Sequence, residues 1–238
     1  MSNINLKVID VSHYNPISSF QKVYDSGIRG IIHKATQGES YTDPSYAEAR
    51  KGALAAGLLW GAYHFADNSD PLKQAQHFVT TADPDAGTLM ALDFEPNGNS
   101  TMSLANARTF MAEVERLIGR DIVLYSGNLI KETLGDDKDP YFAARKLWLA
   151  EYGPKEIIPA AWQASGVWLW QFSDGVVNRN GFTVPGVSDN VDLNSFAGTD
   201  DELAASWTGA PIAAPVVAVA HPSLLARIAA YFTGGTKS

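Results

Sequence analysis

Short apolar segments alternate with helical segments along most of the chain, and this alternation limits the possible folds more than any other feature. The segments of strand length recur at roughly 30-residue spacing, and amphipathic helical patterns separate most of them. The predicted strands are 6–11, 28–35, 58–65, 89–94, 122–126, 147–151, 168–172 and 191–193. Strands joined through helices form parallel βαβ units, so the sequence predicts an α/β protein with a parallel sheet.

Three predicted helices begin where Asn or Asp precedes Pro, at Asn15-Pro16, Asp43-Pro44 and Asp70-Pro71. Asn and Asp cap helices well, and Pro is tolerated at the first helical position. A fourth helix is predicted from about Ser103 to Ile118. The last strands lack full helices between them, which favours an irregular (β/α) barrel of the TIM-barrel type with reduced helices in the last third.

The alternative fold is an open, doubly wound sheet. In nucleotide-binding sheets of this kind, a glycine-rich phosphate loop follows the first strand. The corresponding segment, Ser12-His-Tyr-Asn-Pro16, contains no glycine. The barrel is therefore the preferred prediction.

Composition excludes several classes of function. The 238 residues contain no cysteine, which excludes disulfide frameworks, thiolate metal sites and cysteine nucleophiles. His33 and His64 lack the spacing of a metal-binding motif, and we expect neither a metal nor another cofactor. The net charge of −8 argues against nucleic acid as a partner. We also expect no transmembrane segment and no signal peptide.

The composition changes near Trp207, after which Asp and Glu are absent. We therefore predict a barrel domain over residues 1–206 and a Pro/Ala-rich linker over 207–222. Residues 223–238 are predicted to form a short C-terminal helix or tail. Its apolar residues fall almost all round the helix, so we expect it to dock on the barrel, a membrane surface or a partner.

Polar and aromatic side chains stand at the carboxyl ends of the predicted strands, where parallel barrels build their active sites. In strand order they are Asp10, Lys34, Tyr63, Asp93 with Glu95, Tyr125, Trp148, Gln171 and Asp192. Aromatic faces of this kind stack on sugar rings. Gln171 is either a ligand contact or a core amide whose hydrogen bonds are satisfied within the protein.

Asp93 and Glu95 are the most informative pair. Residues i and i+2 of a strand point to the same side, so these two carboxyl groups share the barrel mouth. Two like charges in a site of low dielectric raise one pKa, which gives one proton donor and one ionised carboxylate. Glycoside hydrolysis uses this division of roles.

The chain resembles glycoside hydrolase family 25, the Chalaropsis-type lysozymes of fungi, bacteria and phages. The matching segments cover residues 6–197 in the family's order and are VIDVSH (8–13), HKATQG (33–38), GAYHF (61–65), ALDFE (91–95), LWLA (147–150) with Tyr152, WQF (170–172) and NVDLN (190–194). The resemblance implies a flattened, irregular β/α barrel. It also implies cleavage of the β-1,4 bond between N-acetylmuramic acid and N-acetylglucosamine in peptidoglycan.

The resemblance also implies roles for the carboxylates. Glu95 would be the general acid, and Asp10 and Asp192 would complete the acidic pocket. Asp93 would orient the 2-acetamido group of the substrate, stabilise the oxocarbenium-like transition state or act as the nucleophile. Tyr63, Tyr125, Trp148, Gln171 and Lys34 are the predicted substrate-binding residues. Gln37 stands where many relatives have Glu, and no role is assigned to it.

Two biological settings are compatible with this reading. The first is a phage endolysin made in the host cytoplasm that acts on the cell wall after its release, and the second is an exported bacterial effector. The competing functional hypothesis is a non-catalytic glycan-binding module on the same barrel. The presence of all four carboxylates favours the enzyme.

Overall fold

Eight strands close into a barrel in the computed structural model, which describes residues 4–188 and 190–210. The strands are β1 (Leu6–Val11), β2 (Gly30–Gln37), β3 (Tyr41–Thr42), β4 (Leu59–Phe65), β5 (Leu89–Asp93), β6 (Val123–Ser126), β7 (Leu147–Ala150), β8 (Leu169–Ser173) and β9 (Asp192–Ser195). The order is β1-β9-β8-β7-β6-β5-β4-β2, and the pairing of β1 with β2 closes it. The two-residue β3 pairs with β2.

One strand departs from the predicted parallel sheet. β9 runs antiparallel to both of its neighbours, β8 and β1, whereas the other pairs around the barrel are parallel. A parallel crossover needs a connection that carries the chain back to the starting edge, usually a helix. The described residues between β8 and β9 contain no helix, so the chain returns directly in the opposite direction.

The helices are α1 (Phe20–Asp25), α2 (Tyr46–Ala55), α3 (Pro71–Ala82), α4 (Leu104–Ile118), α5 (Asn128–Leu134), α6 (Pro140–Ala143) and α7 (Asp200–Ser206). Between β7 and β8 the chain forms only a 3₁₀ turn at Ala160–Trp162. The predicted barrel with reduced helices in its last third is therefore confirmed. Among the described residues, no helix combines the length and apolar character needed to cross a bilayer.

Helix starts were predicted with mixed success. Asp70 caps α3 as expected, since its side chain accepts hydrogen bonds from the backbone N–H groups of the first turn. The predicted start at Asn15 is wrong, because Ser19 caps α1 and Asn15 instead accepts from the N–H of Ser12 and donates to the carbonyl of Asn190. Asp43 likewise forms a local turn with Ser45, and α2 begins at Tyr46.

The inner face of the barrel is polar at the carboxyl ends of the parallel strands and apolar toward their amino ends. Alternation along the strands puts Val8 and Asp10 on the same face of β1, and Ala91 and Asp93 on the same face of β5. The apolar members of these pairs are buried in the inner core, together with side chains from the other strands. A second, larger core fills the space between the strands and the helices. The inner core therefore forms the floor on which the polar residues stand.

Trp207 closes the inner core at the amino ends of β2 and β4. Its indole is 1% exposed, donates a hydrogen bond from Nε1 to the carbonyl of Trp60 at 2.8 Å, and lies against Gly30. The following residues also contact the barrel, since the carbonyl of Thr208 accepts from Lys146 Nζ at 2.7 Å. The barrel therefore extends past the boundary predicted at residue 206. Residues 211–238, which hold most of the predicted linker and the C-terminal helix, lie outside the described residues.

Candidate active site

A cavity of about 220 Å³ opens at the carboxyl ends of the parallel strands. It is lined by Asp10, Ser12, Tyr14, Lys34, Tyr63, Phe65, Asp93, Glu95, Tyr125, Trp148 and Asp192. All four predicted carboxylates lie in this lining. They share one cavity because barrel geometry brings the ends of different strands to one mouth.

Strand register sets which side chains become neighbours. Asp10 of β1 lies opposite Asp192 of β9, and Asp93 of β5 lies beside Tyr125 of β6. Glu95 follows β5 by two residues, and the N–H of the intervening Phe94 donates to the Tyr125 carbonyl at 2.9 Å. This bond continues the ladder past the end of β5. Glu95 is therefore held at the mouth beside Asp93.

Asp93 is buried without a full set of partners. Its Oδ1 atom has no hydrogen-bond partner within the described residues. Burial raises the pKa of Asp93 well above its usual range, and the nearby Glu95 carboxylate raises it further, while Lys34 acts in the opposite direction. An unpartnered buried acceptor is costly unless a ligand satisfies it. The cavity thus presents an open acceptor to whatever binds there.

Glu95 is the other half of the pair. Burial raises its pKa above the ordinary glutamate value, and the charge of Asp10 acts in the same direction. The Tyr125 hydroxyl acts in the opposite direction and lowers the pKa of Glu95. A carboxyl whose protonated form persists to higher pH can donate a proton to a bound ligand.

Asp10 and Asp192 form a hydrogen-bonded acid pair. Burial raises the pKa of Asp10, but hydrogen bonds from Asn194 Nδ2 at 2.8 Å and from Gln171 Nε2 at 3.0 Å favour its ionised form. Burial and the neighbouring Asp10 raise the pKa of Asp192 to about 10. We therefore place the shared proton on Asp192, which donates it to the carboxylate of Asp10.

Among the predicted site residues, Gln171 does not belong to the cavity lining. It is 1% exposed and lies behind the cavity. Its amide nitrogen bonds to Asp10, while its carbonyl oxygen accepts from the hydroxyls of Tyr125 at 2.8 Å and Tyr152 at 2.7 Å. Its polar atoms are thus occupied within the protein. The structure therefore favours the satisfied core amide, and direct contact of Gln171 with a substrate stays a prediction.

The aromatic residues divide by exposure. Tyr125 and Trp148 are buried, with ring centroids 4.4 Å apart, and the indole N–H of Trp148 donates to Asn194 Oδ1 at 2.6 Å. They form the wall and floor of the cavity rather than an open stacking surface. Tyr63 is half-buried in the lining. Tyr14 also lines the cavity, where it is 80% exposed, and the sequence did not predict it.

Lys34 brings the positive charge of the cavity lining. Its ammonium group donates to Gln37 Oε1 at 2.6 Å and lies 4.9 Å from the centre of the Phe65 ring. Burial lowers the pKa of Lys34, and the nearby Asp93 carboxylate opposes this. The cation therefore compensates part of the negative charge that Asp93 would carry.

Asn194 and Tyr152 lie in segments that resemble the family, but the sequence predicts no role for either. Asn194 bridges Trp148 and Asp10, and Tyr152 contacts Gln171. A signal for Asn194 was present, because it follows Asp192 by two residues on the same strand and therefore faces the same side. Tyr152 lies beyond the end of β7, where strand periodicity no longer applies.

Comparisons with known proteins identify the family of this chain. The family model for glycosyl hydrolases family 25 matches residues 9–180. The autolytic lysozyme of Clostridium acetobutylicum is 33% identical over 201 residues, which are 81% of this chain and 56% of that protein. This chain thus spans little more than half of that relative.

Solved structures give the same result. The lysozyme of Streptomyces coelicolor superposes with a TM-score of 0.75 at 28% identity, over 87% of this chain and 98% of the other. A muramidase from Trichobolus zukalii gives a TM-score of 0.72 at 32% identity, over 85% and 98% of the two chains. The chain belongs to glycosyl hydrolase family 25.

Proposed function

We propose that this chain is a peptidoglycan hydrolase, an N-acetylmuramidase that cleaves the β-1,4 bond between N-acetylmuramic acid and N-acetylglucosamine. The observation that carries the proposal is the neighbouring pair of buried Asp93 and half-buried Glu95, in a cavity with two further carboxyl groups. Relatives named as lysozymes and muramidases support the substrate class.

Glu95 is proposed as the general acid. Its raised pKa favours the protonated form in which it can donate to the glycosidic oxygen as the C1–O bond breaks. Water then adds to C1 and returns a proton to the resulting carboxylate. The glycan is cleaved with the addition of one water molecule, and the acid is restored for the next cycle.

Asp93 is proposed to orient the 2-acetamido group of the sugar whose bond is cleaved. Its unpartnered Oδ1 supports this role, since that atom can accept the amide N–H of the substrate. A correctly held acetamido oxygen is positioned to stabilise the positive charge that develops at C1. Peptidoglycan from which the N-acetyl groups have been removed should then be cleaved with a much lower kcat. An unchanged kcat would favour Asp93 as a direct nucleophile instead.

The remaining lining residues are proposed to hold the glycan. Tyr63, Tyr125 and Trp148 supply apolar walls with polar edges, and Lys34 offers a cation at the mouth. Asp10 and its partner Asp192 supply hydrogen-bonding groups for sugar hydroxyls. Gln171 would act on the substrate only through these neighbours.

The test of the proposed activity is digestion of purified peptidoglycan followed by borohydride reduction of the new ends. We expect reduced N-acetylmuramic acid. Reduced N-acetylglucosamine would identify a glucosaminidase. Glycan binding without new reducing ends would instead support the non-catalytic glycan-binding module.

We further propose that the protein is made in the bacterial cytoplasm and acts on the wall after release, as a phage endolysin does. The absence of cysteine supports this, because no disulfide can form or break when the protein passes from the reducing cytoplasm to the oxidising exterior. Expressed protein should lyse cells rapidly once the inner membrane is permeabilised and not before. Lysis of cells with an intact inner membrane would favour an exported enzyme.

Neither nucleic acid nor a cofactor enters this proposal. Docking of residues 223–238 on the barrel, on a membrane surface or on a partner stays a prediction from the sequence.

A further inference from the structure

Two amide side chains hold the carboxyl group of Asp10. Asn194 Nδ2 lies 2.8 Å from Asp10 Oδ2, and Gln171 Nε2 lies 3.2 and 3.0 Å from the two carboxyl oxygens. The strand register brings them together, because Asn194 of β9 is paired with Gln171 of β8 on one side and with Val8 of β1 on the other. All of these residues are buried, so each polar atom depends on the partners that the protein supplies.

The orientation of the Asn194 amide is fixed by groups other than Asp10. Its Oδ1 accepts the indole N–H of Trp148 at 2.6 Å, and an indole nitrogen can only donate. Its Nδ2 also donates to the carbonyl of Val8 at 3.3 Å, and a backbone carbonyl can only accept. A reversed amide would set N–H against N–H at Trp148 and oxygen against oxygen at Val8. Asn194 therefore presents an N–H group to Asp10 whatever the charge of that carboxyl.

The Gln171 amide is under no comparable constraint. Its Oε1 lies 2.8 Å from the Tyr125 hydroxyl and 2.7 Å from the Tyr152 hydroxyl. A phenolic hydroxyl can donate or accept, so it can meet either end of an amide. If Asp10 were protonated, Gln171 could turn, accept from the new O–H and donate to the phenolic oxygens. Gln171 can thus bond to both the ionised and the protonated form of Asp10.

This difference separates the effects of the two amides on Asp10. A neighbour changes the pKa of a carboxyl only as far as it favours one protonation state over the other. We propose that Asn194 is the positioning residue that keeps Asp10 ionised, whereas Gln171 only follows the charge of Asp10. The inference deepens the proposed function, and its role in catalysis rests on that function. A fixed negative charge in the cavity would stabilise the positive charge that develops at C1 of the bound sugar.

Other ionisable groups share the cavity with Asp10. Asp192 lies opposite Asp10 on the neighbouring strand, and the two can titrate as a pair. The groups on the other elements around the cavity are Lys34 of β2, Tyr63 of β4, Asp93 of β5, Glu95 after β5, Tyr125 of β6 and Tyr152 after β7. None of them is altered when Asn194 or Gln171 is replaced, so a difference between those two variants reports on the amides themselves.

The test compares the titration of Asp10 in two variants that each remove one amide, Asn194→Leu and Gln171→Met. The measurement is carboxyl-carbon NMR of protein labelled with γ-¹³C aspartate, in which the Asp10 signal is assigned by its loss in Asp10→Asn. We expect Asn194→Leu to raise the Asp10 midpoint by about one to two pH units, because a hydrogen bond made to the charged form is lost. Gln171→Met should move it by less than about 0.5 pH unit, since Gln171 favours neither form.

Trp148→Phe tests the source of the constraint, and it does not depend on whether Asn194→Leu folds. This variant keeps Asn194 but removes the indole N–H, so one end of the amide is released. The Asp10 midpoint should then rise by part of the Asn194→Leu shift. In the Asn194→Leu background, Trp148→Phe should cause no further rise, because the group that transmits its effect is absent. The order of the shifts should be the same in Asp192→Asn, which removes the neighbouring acid from the titration.

Two results would overturn the inference. One is a Gln171→Met shift as large as that of Asn194→Leu, and the other is an Asp10 midpoint that stays in place in Trp148→Phe. The titration needs no turnover, so it is independent of the proposed activity. A protein that releases no reducing ends from peptidoglycan but titrates as described would refute the proposed function and leave the assignment of Asn194 standing.

Discussion

Trp207 offers a sharp test of where the barrel ends. Its buried indole fills the floor of the inner core and its Nε1–H bonds to the Trp60 carbonyl. Truncation of a buried Trp to Ala costs about 3–5 kcal/mol, and the lost hydrogen bond contributes about 1 kcal/mol within that range. For a domain of this size, such a loss lowers Tm by at least about 6 °C.

The assay is urea unfolding of two truncated proteins, residues 1–206 and residues 1–210. Both lack residues 211–238, so their difference reports only on Trp207 to Ala210. We expect the shorter protein to be less stable by about 3–5 kcal/mol, and Trp207→Ala in the full chain to lose a similar amount. Equal stability of the two truncated proteins within about 0.5 kcal/mol would show that the boundary predicted at residue 206 was right.

Three further predictions concern the carboxyl groups. Asp93→Asn should lower kcat by about 10²-fold or more on peptidoglycan. A buried acid whose pKa is raised in the folded state stabilises the fold only below its unfolded pKa, and it loses that contribution as the pH rises. Asp93→Asn removes the ionisable group, so it should raise Tm at neutral pH. An equal or lower Tm by calorimetry would contradict this. The pH profile of kcat/KM should fall on its alkaline side at a pH above the ordinary glutamate pKa, because Glu95 must be protonated to act; a profile still rising there would exclude it as the acid. Glu115→Ala should cost about 3–5 kcal/mol by urea unfolding without a change in the pH profile, since it leaves Arg145 of a buried ion pair uncompensated; a loss below about 1 kcal/mol would refute that estimate.

The sequence predicted the strands and the cavity well, for a physical reason. Alternation along a strand fixes which residues face inward, and Asp10 and Asp93 each end an apolar run, so closure of the barrel brings them together. Asp192 instead begins β9 and reaches the same mouth because β9 runs antiparallel. Glu95 was located by the same spacing, two residues beyond Asp93.

Other features depend on contacts that no local pattern contains. Asn15 is a good helix cap by type, but its side chain is used by Ser12 and by a carbonyl 175 residues away. The antiparallel direction of β9 follows from the path of the connection that precedes it. The use of Gln171 behind the cavity depends on two tyrosines and an aspartate from three separate segments, so its motif indicated its importance but not its role.

The central claim is that Glu95 supplies the proton for cleavage of the glycan. The most direct measurement is the rate at which Glu95→Gln releases new reducing ends from purified peptidoglycan. Glu151→Gln is the matched control, because Glu151 also follows a barrel strand but pairs with Lys131 outside the cavity lining. The account predicts a loss of about 10²–10⁴-fold in Glu95→Gln, with unchanged near-UV circular dichroism, and near-normal rates in the control. Near-normal release of reducing ends by Glu95→Gln would contradict it.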